Sequence, residues 1–159
     1  NSMSYRIDHK KIEIQNLNFE ELKNIIDINY GSNNEENKIY IYQSREYKIL
    51  QWKIRPRIYL SIEQDDSAIE ITSKKIDLNI PKSLSSSLKI YIKVNIRRFQ
   101  KGIKIERTLK ICLANKESIK YMPKALKEYL LEKAISLSSK RFDKRLIRKL
   151  EDLAERNSN

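Results

Sequence analysis

Residues 88–113 read LKIYIKVNIRRFQKGIKIERTLKICL, and the fold turns on how that stretch is parsed. Leu88, Ile90, Ile92, Val94 and Ile96 alternate with Lys89, Tyr91, Lys93, Asn95 and Arg97. Beyond Gly102 the period of two returns, with Ile103, Ile105, Leu109, Ile111 and Leu113 set against Lys104, Glu106, Thr108, Lys110 and Cys112. Alternate side chains of a strand point to opposite faces, so each half is a strand with one apolar and one charged face. Lys101-Gly102 between them predicts a hairpin with a two-residue loop. That register sets Val94 opposite Leu109, Ile92 opposite Ile111 and Ile90 opposite Leu113 on the apolar face. On the charged face it sets Arg97 opposite Glu106, Tyr91 beside Cys112, and Lys93 opposite Lys110.

The pattern extends upstream. Tyr5 to Ile14 reads as a first strand, and Asn18 before Phe19-Glu20-Glu21-Leu22 reads as the N-cap of a short helix running to about Ile28. A polar loop follows, from Asn29 to Asn34. From Lys38 the period is two again: Ile39 and Ile41 alternate, and then Leu50, Trp52, Ile54, Ile58, Leu60 and Ile62 share one parity. Pro56 lies in that run without an N–H to donate, which predicts a break, a bulge or an edge. Gln64-Asp65-Asp66-Ser67 is a turn, after which Ile69 and Ile71 resume. The parity slips between Ser73 and Lys75, since Ile76, Leu78 and Ile80 continue the apolar set, and one extra residue there predicts a β-bulge. Residues 81–87 are a loop.

Downstream, Pro123 opens a helix that nothing breaks until about Glu155. Phe142, Leu146, Leu150 and Leu153 form an apolar stripe, with Lys140, Arg141, Lys144, Arg145, Arg148 and Lys149 on the other half of the wheel. About thirty residues at 1.5 Å each span roughly 45 Å, enough to cross a whole sheet. An antiparallel sheet with one apolar face needs a cover, and this helix supplies it. The expected architecture is therefore α+β: a curved antiparallel sheet of six to seven strands wrapped on one long C-terminal amphipathic helix (a helix-grip), with a short helix after strand 1. A single domain over residues 4–157 is expected, with Asn1-Ser2 as a cloning remnant before an initiator Met3.

Ile119-Lys120-Tyr121-Met122-Pro123-Lys124-Ala125-Leu126-Lys127, the run Arg145 to Leu153, and Arg55-Pro56-Arg57 resemble motifs of an uncharacterised cyanobacterial and plastid family of unknown function. That family is similar to the START/SRPBCC-type helix-grip superfamily. The resemblance covers most of the chain and implies a cavity for an apolar ligand between sheet and helix. It brings no catalytic residues.

Composition narrows the chemistry. No stretch of 18 apolar residues occurs, so no membrane-crossing helix is expected, and the N-terminus lacks an apolar signal region. A cytoplasmic or plastid-stromal protein is the expectation. One cysteine, Cys112, and one histidine, His9, exclude an internal disulfide and the usual zinc clusters, so no metal and no cofactor are expected. Two glycines, Gly31 and Gly102, exclude a glycine-rich phosphate loop. Cys112 with His9 would make a nucleophilic pair only if the fold joined them, and both read more simply as ordinary strand residues. Asp65-Asp66 and Glu35-Glu36 read as turn chemistry. No carboxylate pair has a spacing that implies acid–base catalysis, and an enzyme of the same superfamily ranks last among the functions considered.

Charge points to partners. Residues 1–80 carry 12 basic and 13 acidic side chains, and residues 81–159 carry 21 and 8, so the whole excess of +12 lies in the second part. Such asymmetry suits a polyanion, whether a nucleic acid or an anionic membrane surface, and also suits mere solubility. Lys89, Lys93, Arg97 and Lys110 on the sheet, with Lys140, Arg141, Lys144, Arg145, Arg148 and Lys149 on the helix, are the candidate contacts. Nucleic-acid binding through them would be backbone-driven and salt-dependent. Arg107 is the odd residue, on the apolar parity opposite Ile96 in the expected register. It either binds a carboxylate or phosphate inside a cavity or lies near the hairpin end and snorkels to water. Trp52, Ile92, Val94, Leu109, Ile111 and Leu130 join it as candidate cavity residues, for an apolar or amphipathic small molecule. An exposed edge strand leaves a homodimer open.

Overall fold

The computed structural model describes residues 3–30, 39–49, 52–80, 87–114 and 120–158. The elements are β1 (Met3–Gln15), α1 (Phe19–Tyr30), β2 (Ile39–Gln43), β3 (Tyr47–Ile49), β4 (Trp52–Ile54), β5 (Arg57–Gln64), β6 (Ala68–Asp77), β7 (Leu88–Phe99), β8 (Gly102–Ala114) and α2 (Lys124–Ser158). Six strands form one curved antiparallel sheet in the order β1-β8-β7-β6-β5-β2, and β3 pairs with β4 as a separate hairpin. The helix-grip architecture read from the sequence is the one the chain adopts. Leu50, Glu35-Glu36, Gly31 and the loop residues 81–86 lie outside the described residues.

Local chemistry accounts for the boundaries. Asn18 Oδ1 accepts from the backbone N–H of Glu21 at 3.0 Å, which caps α1. Pro56 splits the Leu50–Ile62 run: β4 ends at Ile54, β5 starts at Arg57, and the Pro56 carbonyl accepts from the Ser44 N–H at 2.8 Å. The register of β5 on β6 shifts where Tyr59 faces Lys75 and Leu60 faces Ser73, leaving Lys74 as the extra residue of the bulge. At the start of α2 the Pro123 carbonyl accepts from Leu126 and Lys127, both at 3.1 Å. The helix runs for 35 residues, about 52 Å.

The β7–β8 register differs from the expected one by two residues. Phe99 pairs with Gly102, so the loop is Gln100-Lys101, with Gln100 in the left-handed region at φ 50°. Ile92 faces Leu109, Ile90 faces Ile111, Val94 faces Arg107 and Ile96 faces Ile105. Lys93 lies opposite Thr108 and Lys110 opposite Tyr91, so that expected like-charge pair is absent, whereas Arg97 lies opposite Lys104 rather than Glu106, and Cys112 faces Lys89 rather than Tyr91. Gly102 serves another purpose than the turn. It pairs with Gln15 of β1, and a Cβ there would collide with the Ile14 carbonyl oxygen. A slip of two leaves every side chain on its expected face.

The inner face carries the core. Ile69, Val94, Ile96, Ile103, Ile105 and Ile111 are fully buried, joined by Phe19, Leu22 and Ile26 of α1 and by Leu131, Ile135, Leu150 and Leu153 of α2. α2 packs against β1, β8, α1 and β3. Glu132 pairs with Arg6 of β1 and Asp143 with Arg107 of β8, so the middle of the helix lies over the β1–β8 end of the sheet.

Candidate functional site

At the other end, between the inner faces of β2, β5, β6 and β7 and the second half of α2, lies a cleft of about 660 Å³. Its walls are aliphatic and aromatic: Ile58, Leu60 and Ile62 of β5, Ile71 and Ile76 of β6, Ile90 and Ile92 of β7, and Tyr42 of β2. The whole apolar stripe of α2, Phe142, Leu146, Leu150 and Leu153, closes it from above. Beside these lie Arg45, Arg141, Lys144, Arg145, Arg148 and Lys149, with Glu46 the one carboxylate among the described lining residues. Arg141 Nη1 donates to the Glu46 carbonyl at 3.3 Å, and the Arg145 guanidinium sits 5.2 Å from the centre of the Tyr42 ring. The Tyr42 hydroxyl oxygen is buried and has no hydrogen-bond partner among the described residues.

The candidate cavity residues separate into groups. Ile92 and Leu109 line the cleft. Val94 and Ile111 are fully buried in the filled part of the core, and Leu130 is half-buried on α2 beside the fully packed Leu131. Trp52 belongs to β4, and its side chain lies outside the described residues.

Arg107 is fully buried, and it neither snorkels nor reaches the cleft. Its Nε and Nη2 donate to the two carboxylate oxygens of Asp143, both at 2.7 Å, and its Nη1 donates to Asp8 Oδ2 at 2.8 Å and the Asp8 carbonyl at 3.0 Å. Lys10 Nζ stands 3.5 Å from Asp143. Burial works to lower the Arg107 pKa and is outweighed by Asp143 and Asp8, which raise it. The Asp8 carboxyl is held below its usual value, first by the nearby Ser139 hydroxyl and then by Arg107, against partial desolvation. That hydroxyl acts on Asp8 without closing a hydrogen bond of normal geometry. A bidentate guanidinium–carboxylate pair fills the place where a bound anion was one of the expectations.

Sequence reasoning missed Asp143. Two signals mark it: it is the sole carboxylate in residues 134–150, and it continues the inward row Leu131, Ile135, Ser139 at steps of four.

The ten basic candidates fall on two opposite sides. Lys89, Lys93, Arg97 and Lys110 are on the outer face of the sheet, away from α2. There Lys93 reaches Glu70 at 3.9 Å, Arg97 donates to Asn95 at 2.8 Å and Lys110 lies 5.2 Å from the Tyr5 ring. Arg141, Lys144, Arg145, Arg148 and Lys149 belong to the cleft, and Lys140 is exposed beside them. His9 Nδ1 is 2.9 Å from Thr108 Oγ1, while Cys112 is buried opposite Tyr5, four residues or about 13 Å further along the ladder. No Cys–His pair is assembled. Asp65 Oδ1 accepts from the Ser67 N–H, the Ser67 hydroxyl and the Ala68 N–H, and these bonds lower its pKa and define a turn.

No helix among the described residues is long and apolar enough to cross a membrane. No protein-family model matches the chain, and no curated protein matches it in sequence. Among solved structures, it is similar to a protein of the major latex protein family from Arabidopsis thaliana, at 13% identity over 91% of this chain and 95% of that one, with a TM-score of 0.39. It is also similar to a hypothetical protein from Helicobacter pylori, at 8% identity over 69% of this chain and 70% of the other, again with a TM-score of 0.39.

Proposed function

We propose that this chain is a non-enzymatic binding module that holds an apolar or amphipathic small molecule between the sheet and α2. What supports the reading is the cleft itself: about 660 Å³ of space walled by isoleucine, leucine, phenylalanine and tyrosine side chains, placed under half of the covering helix. Small-molecule sites fall in the range of about 300–1,000 Å³ and pair apolar walls with a few polar groups. Each Å² of apolar ligand surface moved into such a site is worth about 25 cal/mol. The outer-face residues Lys89, Lys93, Arg97 and Lys110 are a second contact, for an anionic membrane surface met from the opposite side, at about 1 kcal/mol per basic residue near the bilayer.

Uptake of N-phenyl-1-naphthylamine, a neutral apolar fluorophore, tests the cleft. Saturable enhancement at one probe per chain, lost in Leu146→Trp while the far-UV spectrum is kept, is the expected result. Absence of saturable uptake by the folded wild type sinks the reading. Flotation with phosphatidylglycerol vesicles against neutral ones checks the second contact, which fails if Lys89→Gln/Lys93→Gln floats as the wild type does.

A further inference from the structure

We infer that the ligand of the cleft is an anionic amphiphile whose carboxylate or phosphate head is held by α2 through Arg145, Arg148, Lys149 and Lys144, with the Tyr42 hydroxyl beside it. The inference rests on the cleft reading above and adds the head-group chemistry.

Charge bookkeeping along α2 motivates it. Asp143 is the only carboxylate in residues 134–150, and Arg107 and Lys10 hold it on the inner side. Glu151 and Asp152 follow one turn on, yet among the described residues neither forms a salt bridge with Arg148 or Lys149. Arg145 and Lys149 stand at i, i+4, as do Lys144 and Arg148, spacings at which like charges repel. Among the described residues Lys144, Arg148 and Lys149 form no salt bridge, and Arg145 stacks on the Tyr42 ring. All four line the same cleft as Ile58, Leu60 and Ile71. A cationic group against an apolar wall is less screened than one in open water, so its attraction for an anion is stronger there.

Tyr42 supplies an independent observation. Its hydroxyl is buried in the cleft wall with no hydrogen-bond partner among the described residues. An unsatisfied buried hydroxyl is costly, and an oxyanion accepting from it removes that cost. Arg145 stacks on the same ring, which places a guanidinium and the hydroxyl around one side chain. The apolar tail then lies along Leu60, Ile71 and Leu146.

Displacement of N-phenyl-1-naphthylamine by dodecanoate, dodecyl phosphate, dodecanol and dodecyltrimethylammonium tests the inference. The two anions should compete about tenfold or more better than dodecanol, and the cation worse. Arg145→Gln/Arg148→Gln/Lys149→Gln should narrow the preference for the anions over dodecanol to within about threefold, read as a ratio within the variant so that any change in probe affinity cancels. Lys89→Gln/Lys93→Gln on the outer face should leave the preference intact. Equal competition by dodecanol and dodecanoate overturns the head-group inference and leaves the cleft standing. So does an anion preference that survives the triple change, which would trace to net charge alone. Failure of the probe to enter at all overturns both readings.

Discussion

Arg107, on the strand beneath α2, and Arg145, on α2 itself, lie 38 residues apart in sequence and meet opposite fates. Arg107 is fully buried beneath α2 at the β1–β8 end of the sheet, where Asp143 and Asp8 take its Nε, Nη1 and Nη2. Arg145 lies on the second half, over a cleft, stacked on a tyrosine ring with no carboxylate bonded to it among the described residues. One end of the molecule is thus closed, with charge neutralised and isoleucines packed to zero exposure. The other end keeps an apolar floor open beneath a row of helix cations. Folding stability is concentrated at the β1–β8 end, and binding capacity is left at the β2–β6 end.

The largest test of that division is Asp143→Ala. Removing Asp143 leaves the buried guanidinium with only the part-exposed Asp8, at a cost toward the lower end of the range of about 3–5 kcal/mol for a broken buried pair. Urea denaturation should show a loss of that size, whereas Arg107→Met/Asp143→Leu, which removes both charges, should recover most of it. A loss below about 1 kcal/mol in the single variant would show that Asp8 and water already satisfy the guanidinium, and the closed end would not be closed.

Truncation of a buried aliphatic side chain at each end sharpens the contrast. Ile105 is 0% exposed, and Ile105→Ala leaves a cavity that neighbours cannot fill, costing about 2–5 kcal/mol. Leu146 is half-buried and borders space that is already open, so Leu146→Ala loses chiefly transfer energy, about 1 kcal/mol. Equal losses at the two positions would mean that the second half of α2 is packed as tightly as the first, with no room for a ligand.

Much of this was legible from sequence because strand faces depend on parity alone. The β7–β8 register is two residues away from the one implied by a Lys101-Gly102 turn, yet an even slip keeps Ile92, Val94, Leu109 and Ile111 inside. The Lys74 bulge and the break at Pro56 were likewise readable, since each disturbs a strict alternation. Turn position was not, because Gln100 accepts a left-handed backbone that its residue type does not advertise, and Gly102 answers to β1. Nor could parity separate wall from core. Ile71 and Ile111 look alike in sequence, and only the line taken by α2 makes one a cleft wall and the other a filled interior. The pairing of Arg107 with Asp143 joins strand to helix across 36 positions, a distance at which local pattern carries no information.

The smallest effect concerns acid. Asp8 is depressed in the folded state, by Ser139 and then by Arg107, from an unfolded value near 4. A carboxyl lowered by folding contributes stability that is present above its unfolded pKa and is lost as pH falls through the folded one. Its side chain is 43% exposed, so solvent screens much of the effect. Asp8→Asn should therefore lower Tm slightly at neutral pH, and the gap to wild type should close as pH drops below the ordinary carboxylate range of about 4. Lys144→Gln, at the open end, should leave that acid limb unchanged, since no carboxylate is bonded to Lys144 among the described residues. If the Asp8→Asn gap persisted undiminished at acid pH, the contribution of Asp8 would lie in shape rather than charge. The neutralisation of the closed end would then rest on Asp143 alone.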